Sequence, residues 1–334
     1  MKIGLLGAGS WGTALAQLLA ENGHEILLWC YEPEVAHELN HDHTNRTYLP
    51  DISLVSTVRA TIELEEVALW GPVVVSVLPS HVVRPIYRQL APYLRPEHSI
   101  ISCTKGIENG SLALMHQVIA EFFPWNERIL ALSGPSFAAE VVRHKPTAVV
   151  IASPNLVLGH EVQQIFATPW FRTYFNPDLL GVELCGALKN VMAIASGMVI
   201  GAELGVNAMA ALITRGLHEL TQLGLQLGAR AETFSGLSGM GDLILTCTGT
   251  LSRNRGVGVR IGQGESLSDI LASMTMVAEG VQTTRSARDL AHREGIEMPI
   301  VEQVFQVLHE NKSLRQGLAE LMVRRLRDEG GSRC

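Results

Sequence analysis

At 334 residues, with 47% hydrophobic and 18% charged side chains, the chain has a globular composition and exceeds the usual size of one hydrophobic core, so two domains of roughly 150 to 180 residues are expected. A net charge of −7 and a pI near 6.0 argue against general nucleic-acid binding, which favours a basic face, but leave room for a local cationic pocket. The five cysteines, Cys30, Cys103, Cys185, Cys247 and Cys334, are odd in number, scattered and free of CxxC spacing, which points away from a disulfide frame or zinc site and towards a reducing, cytoplasmic setting.

Lys2, the apolar run after it and Ala14-Leu15-Ala16 imitate a secretory leader, but Gly4, Gly7, Gly9 and Gly12 break the run in a more informative pattern. Lys2 to Leu6 is expected to form a buried strand, Gly7-Ala8-Gly9-Ser10-Trp11-Gly12 a turn, and Thr13 to Glu21 a helix. A GxGxxG turn between strand and helix is a dinucleotide signature: Gly7 allows the tight turn, Gly9 lets a pyrophosphate approach, and Gly12 lets helix and strand pack closely. His24 to Cys30 reads as the second strand. Glu32, twenty residues after Gly12, stands where an acid takes ribose hydroxyls, with Tyr31 before it and Arg46 close enough for a loop to bring back. His41-Asp42-His43 lacks a third ligand at metal spacing and reads as a solvated loop, so no metal is expected.

Further strands are expected at Val73 to Leu78, Ser99 to Cys103, Arg128 to Leu132, Ala148 to Ala152 and Trp170 to Phe175, separated by helical patterns. Such alternation predicts a parallel sheet wound with helices. Ligands bind at the carboxyl ends of these strands, so Lys105 and the Ser133-Gly134-Pro135-Ser136 loop should face the crevice.

After Val182 the strand pattern stops, and helices are expected at Val182 to Gly201, Ala208 to Leu227, Val281 to Arg293, Ile300 to Glu310 and Leu314 to Arg327. The first is apolar on every face, which predicts burial; Lys189 and Asn190 interrupt it, so no membrane span is expected. A lysine there must pair with an acid or face a cleft where it does work. Asp242, between glycines and Leu243-Ile244-Leu245, is either a helix N-cap or a buried acid, and in isolation the cap is the favoured reading. Ser252-Arg253-Asn254 offers hydroxyl, guanidinium and amide donors suited to an oxyanion such as phosphate. Arg324, Arg325 and Arg327 are expected to complement the dipole of the last helix.

These motifs, taken in order, resemble one family. GAGSWGTALA from Gly7, Tyr48-Leu49-Pro50, Ser102-Cys103-Thr104-Lys105-Gly106, Ser133-Gly134-Pro135-Ser136, Leu188-Lys189-Asn190, Gly239-Met240-Gly241-Asp242-Leu243 and Ser252-Arg253-Asn254 are similar to the bacterial-type NAD(P)-dependent sn-glycerol-3-phosphate dehydrogenases, from Lys2 to about Glu310. The resemblance implies an α/β Rossmann-type domain over residues 1–180, a parallel sheet with helices on both faces. An all-α domain like that of 6-phosphogluconate dehydrogenase follows over 181–334.

By the same resemblance NADPH or NADH contacts Gly7, Gly9, Ser10, Trp11, Gly12, Tyr31, Tyr48, Lys105 and Ala138, with Arg253, Val277 and Glu279 arriving from the helical domain. A small phosphorylated substrate contacts Lys105, Gly134, Ser136, Lys189, Asp242, Ser252, Arg253 and Asn254. Lys189 is the implied acid/base, with Lys105 and Asp242 beside it. Two neighbouring lysines would depress each other's pKa while Asp242 opposes the shift. The family often carries a basic residue where Tyr31 stands; with no cation from Tyr31, repulsion of a 2′-phosphate by Glu32 if it points inward, and compensation from Arg46, cofactor choice is expected to be relaxed or only modestly biased to NADPH. A homodimer is among the assemblies the resemblance allows. Two other readings stay open: a hydroxyacid or sugar-acid dehydrogenase of the same plan, which would not need the Ser252-Arg253-Asn254 triplet, and a non-catalytic NAD(P)-sensing protein, which would need neither Lys189 nor Asp242.

Overall fold

The computed structural model describes residues 1–274 and 276–326. Its first part runs β1 (Lys2–Leu6), α1 (Ser10–Glu21), β2 (Glu25–Trp29), α2 (Pro33–His41), β3 (Thr44–Asn45), β4 (Leu49–Ser53), β5 (Val58–Thr61), α3 (Leu64–Trp70) and β6 (Val73–Ser76). It continues with α4 (Val83–Leu90), β7 (Ser99–Ser102), α5 (Met115–Ala120), β8 (Ile129–Ser133), α6 (Ala138–Val141), β9 (Thr147–Ala152), α7 (Leu156–Phe166) and β10 (Phe171–Asn176). From there the described chain is helical: α8 (Leu179–Gly201), α9 (Gly205–Gln226), α10 (Ala231–Ser235), α11 (Asp242–Thr248), α12 (Arg253–Gly262), α13 (Leu267–Ala272), α14 (Glu279–Arg293), α15 (Pro299–His309) and α16 (Leu314–Met322).

Eight strands form one sheet in the order β10-β9-β8-β7-β6-β1-β2-β5. β1 lies between β2 and β6, so the strand order reverses there and opens a crevice at the carboxyl ends. Seven junctions join the strands; all are parallel except β8–β9, where the parallel expectation fails. The segment between Ser133 and Thr147 holds only the single turn α6, too little helix for a crossover, so the strand returns beside its predecessor. β3, β4 and β5 escape the sequence reading. β5 is an edge strand of four residues, and β4 carries Pro50, which is tolerated because β4 pairs with β3 alone.

The helical part is assembled on α8. Its Asp178 cap accepts from Gly181 N–H at 2.9 Å through Oδ1, while Oδ2 accepts from Arg230 N–H at 2.8 Å and Thr233 Oγ1 at 2.7 Å, joining α8 to α10. Leu184, Leu188, Val191 and Met192 are fully buried among residues of α9, α14 and α15. This helix is long and apolar enough to cross a membrane, yet 83% of its apolar window is buried inside the protein, as for a core helix. The last helix ends at Met322, Arg324 pairs with Glu297 at 2.8 Å, and Arg327 lies outside the described residues. Arg324 therefore belongs to an ion pair rather than to a helix terminus.

α8 and α12 meet backbone to backbone. A Cβ at Gly197 would lie 2.1 Å from Arg255 O, at Gly201 2.1 Å from Val259 O, at Gly258 2.0 Å from Ile194 O, and at Gly262 2.7 Å from Met198 O. Only hydrogen fits at this crossing, which fixes the helix bearing Lys189 against the helix bearing Arg253. Gly256, in the same helix, faces open space with nothing within 4 Å of a Cβ. Gly258→Ala should therefore lose about 1–3 kcal/mol by overpacking. Gly256→Ala should gain up to about 1 kcal/mol from reduced chain entropy. Denaturant unfolding of the two variants reads this contrast directly; equal stabilities would contradict the crossing.

Candidate active site

The glycine turn is shaped by packing on two sides and open on the third. Gly7 has φ +105° and a Cβ there would lie 2.8 Å from Val77 O; at Gly12 the Cβ would lie 1.8 Å from Gly7 O, whereas at Gly9 nothing is within 4 Å. The open backbone is where a pyrophosphate would approach. α1 begins at once, with no side-chain cap and no acid in its first turn, so its amide donors suit that anion. The turn therefore fits a dinucleotide.

Ser10 Oγ donates to Tyr48 O at 2.5 Å and lies 3.4 Å from Met276 Sδ, so the segment ahead of α14 reaches the glycine turn. Trp11 packs beside the core of the sheet domain, and Tyr31 is 79% exposed. Tyr48 Oη donates to Glu32 Oε1 at 2.7 Å; this bond, with burial, pushes the phenol up to about 12 and keeps it a donor. Arg46 does not come back to the ribose position. Its main-chain N–H donates to Glu38 Oε1 at 2.9 Å and its guanidinium to Asp42 Oδ2 at 3.3 Å, with the side chain 68% exposed. In the neighbouring polar stretch His41 Nδ1 bonds His37 O at 2.9 Å. Among the described residues no group of three or more His, Cys, Asp or Glu is arranged to hold a metal.

Across the crevice stands Asp242, 1% exposed, with one oxygen for each of two lysines. Lys105 Nζ donates to Oδ2 at 2.6 Å and Lys189 Nζ to Oδ1 at 2.6 Å. Lys105, on the loop after β7, also reaches Gly134 O at 3.4 Å, and Lys189 donates to Thr246 Oγ1 at 2.7 Å. Thr246 Oγ1 in turn donates to Asp242 O at 2.6 Å. The N-cap reading of Asp242 is overturned: the N-cap of α11 is Gly241, without a side-chain bond, and Asp242 is the buried acid instead. A single π-helical turn, Leu237–Gly241, leads into it, closed by Gly241 N–H to Gly236 O at 3.1 Å. Such turns are rare and are frequent at functional sites.

Burial lowers the Lys189 ammonium to about 8; the Asp242 charge opposes the shift and Lys105 adds to it. Burial would raise the Asp242 carboxyl, but the two lysines together hold it below the ordinary range. The cluster thus holds an ionised acid beside an amine whose proton exchanges near neutrality.

The third group lies at the start of α12. Ser252 Oγ accepts from Arg255 N–H at 3.2 Å as the cap, and Asn254 is tied at both ends, its Nδ2 donating to Asn190 Oδ1 at 3.0 Å and its Oδ1 accepting from Gly280 N–H at 2.9 Å. Arg253 is exposed and has no hydrogen-bond or ion-pair partner among the described residues. An exposed guanidinium, with Glu279 as a charged neighbour, therefore stands beside the first-turn amides of Arg253 and Asn254, which the Ser252 cap leaves unclaimed, an arrangement that suits an anion. Glu279, the first residue of α14, is pushed up to about 7, chiefly by burial, with Arg253 the largest opposing influence.

The remaining expected residues surround these groups. Gly134, at φ +142°, accepts from Ser136 Oγ at 3.1 Å, Ala138 opens α6, and Val277 is exposed just before α14. Thr246 and Met276 were missed. Thr246 follows Asp242 by four residues on one helix, a spacing that puts both on one face and would have found it. Met276 carries no such sign, since a loop alone brings it to Ser10.

A family described as NAD-dependent glycerol-3-phosphate dehydrogenase matches in two parts, its N-terminus at residues 2–158 and its C-terminus at residues 178–319. The glycerol-3-phosphate dehydrogenase [NAD(P)+] of Geobacter sulfurreducens is 52% identical over 98% of this chain and 98% of its own. That of Citrifermentans bemidjiense is 50% identical over 98% and 99%. The crystal structure of glycerol-3-phosphate dehydrogenase from Coxiella burnetii superposes with a TM-score of 0.92 at 39% identity, covering 96% of this chain and 98% of that one.

Removing the shared carboxylate should expose the electrostatics. Asp242→Asn leaves Lys189 buried beside no anion, at a cost of about 3–5 kcal/mol near neutral pH. Lys189 already has a depressed folded pKa, and loss of Asp242 depresses it further, so stability of the variant must rise as pH climbs towards the unfolded lysine value. Urea unfolding at about pH 7 and about pH 9.5 should show the gap to wild type narrowing. A gap that stays constant would contradict the coupling.

Proposed function

Because the chain belongs to the NAD-dependent glycerol-3-phosphate dehydrogenase family, we propose that Lys189 carries the proton of its reaction and that Arg253 anchors the substrate's phosphate. The chain is an NAD(P)-dependent oxidoreductase that transfers a hydride reversibly between NAD(P)H and dihydroxyacetone phosphate, giving sn-glycerol 3-phosphate, the backbone of glycerophospholipids. Neither a sugar-acid dehydrogenase nor a non-catalytic sensor is supported by these relatives.

The observation that carries the residue assignment is Asp242 gripping both lysines at 2.6 Å, with Arg253 exposed at the start of the helix packed on α8. When bound, the nicotinamide supplies the hydride. In reduction Lys189 gives a proton to the oxygen at C2 of the ketone, and in oxidation it takes the proton back. Asp242 aims the ammonium, Thr246 accepts one of its hydrogens, and Lys105 balances the second carboxylate oxygen. Arg253 and the first-turn amides of α12 hold the phosphate; Ser252 and Asn254 shape that turn through their own bonds. Gly134, Ser136 and Lys105 close the opposite side. Gly7, Gly9, Ser10, Trp11, Gly12, Tyr31, Tyr48 and Ala138, with Val277 and Glu279, hold the dinucleotide. We also propose a functional division near residue 180, a cytoplasmic setting in keeping with buried thiols at Cys30, Cys103, Cys185 and Cys247, and a homodimer, which sedimentation would decide.

Absorbance of NADH or NADPH with dihydroxyacetone phosphate should show turnover that Lys189→Ala lowers at least ~100-fold in kcat, with dinucleotide affinity nearly intact. Near wild-type kcat would remove Lys189 from the proton step. The acid form is needed for reduction, so kcat/KM for the ketone should fall as pH rises through about 8, and kcat/KM for glycerol phosphate oxidation should rise through the same value. Arg253→Ala should cost about 2–5 kcal/mol in kcat/KM for dihydroxyacetone phosphate and much less for dihydroxyacetone. Equal losses on both substrates would show that Arg253 does not hold the phosphate.

A further inference from the structure

Glu183, Gly186 and Lys189 follow one another at intervals of three along α8, on successive turns of the helix. Gly186 seats the second lysine of the site: a Cβ there would lie 3.4 Å from Lys105 Cγ, so the stem of Lys105 rests on α8 before its ammonium reaches Asp242. Glu183 has no part in the reaction described above, yet its side chain is only 3% exposed, and a buried carboxylate must be held by donors. Those donors come from the sheet domain. Oε1 and Oε2 accept from the His116 main-chain N–H at 3.1 and 3.3 Å, and Oε2 also bonds His116 Nδ1 at 2.5 Å. A carboxylate only accepts, so Nδ1 is the donor. Burial opposes charge on the imidazole, but Glu183 outweighs it and holds His116 above its ordinary value.

His116 and Lys105 belong to one closed segment between β7 and α5. Ile107 and Leu114 form a β-bridge, Glu108 N–H donates to Ala113 O at 2.9 Å, and both bridge residues are buried in the core around α8. Lys105 stands two residues before the bridge and His116 two residues after it. Arg84, on α4, grips the segment by donating to both oxygens of Glu108 at 2.8 Å, and Asn109 Nδ2 donates to Gln282 Oε1 of α14 at 3.3 Å. The apolar contacts of Ile107 and Leu114 are non-directional. Two donors of one residue on one carboxylate have a single geometry, and they fix where the segment sits along α8.

We propose that Glu183 and His116 are positioning residues: their bonds set the register of the Lys105 segment on α8, and with it the place of Lys105 relative to Lys189 across Asp242. The inference rests on the dehydrogenase reading above. Burial lowers the Lys189 ammonium, Asp242 opposes the shift and Lys105 adds to the lowering, so a segment that loosens lets Lys189 hold its proton more tightly. Cys247 on α11 and Glu279 on α14 also lie within electrostatic reach of Lys189, and Arg255 and Arg253, on α12, act on those two in turn.

Three variants of the full chain test the pair. His116→Ala keeps the main-chain N–H and removes the imidazole, His116→Phe keeps ring volume without the donor, and His116→Asn puts an amide donor near the place of Nδ1. With dihydroxyacetone phosphate, the first two should lose ~10-fold in kcat/KM. The alkaline inflection of kcat/KM should move up by at least ~0.5 in pH, while NADH affinity by calorimetry stays within ~3-fold. His116→Asn should recover both rate and inflection. A rate loss with an unmoved inflection would leave the pair structural support alone and overturn the proposal, as would unchanged kinetics in His116→Phe, which carries the test should His116→Ala not fold. Hydrogen exchange at the Glu108 and Leu114 amides reads the segment independently of turnover, and should quicken in His116→Phe but not in His116→Asn. Quickened exchange in a chain that does not turn over the ketone would keep the positioning role and remove the dehydrogenase reading. Unchanged exchange overturns the positioning role, whatever the turnover.

Discussion

One carboxylate joins two lysines, one from the sheet and one from the core helix. Asp242 is buried, and its two oxygens are taken by Lys105 from the end of a sheet strand and by Lys189 from the core helix α8. Two ammonium groups this close repel each other and lose hydration on burial, so neither could stay without the anion between them. The same anion keeps Lys189 aimed, and burial keeps its proton labile. Stability and chemistry therefore make the same demand on this site.

The scaffold around Asp242 is correspondingly stiff. The glycine crossing of α8 and α12 allows no play along the contact, and the Asn190–Asn254–Gly280 chain ties α8, α12 and α14 together at the end nearest the chemistry. The spacing of the two helices that bear Lys189 and Arg253 is thus set by main chain rather than by side-chain packing. Arg253, by contrast, is exposed at the start of α12. Binding energy from the non-reacting phosphate can then hold the ketone without reorganising the helices that carry the acid.

The dinucleotide side follows a different rule. The glycine turn offers open backbone, whereas the end of β2 carries the bonded side chains of Glu32 and Tyr48. Because Tyr48 bonds both Ser10 and Glu32, the glycine turn and the end of β2 are one connected unit. Met276 brings the helical part to the same place, so the dinucleotide would be enclosed by both halves of the chain.

By itself the sequence determined whatever is encoded in neighbours a few residues apart. The GxGxxG turn, the strand and helix alternation and the all-apolar helix with its single lysine are local patterns, and packing follows from their periodicity. The burial of Lys189 was legible for that reason, and so was its need for a partner. Which acid would answer was not. Lys105 and Lys189 lie 137 and 53 residues from Asp242, and its setting between glycines and Leu243-Ile244-Leu245 favoured a cap. Only the tertiary structure could decide it, because Asp242 is buried at the start of α11, where lysines from the loop after β7 and from α8 converge on it. Arg46 failed in the opposite sense: its nearness in sequence suggested the ribose, but two closer carboxylates of its own helix neighbourhood captured it. The reversal at β8–β9 was likewise hidden, since strand direction depends on how far the intervening segment can cross the sheet. Charge partners and strand directions are settled by distances in space, which no local pattern of residues contains.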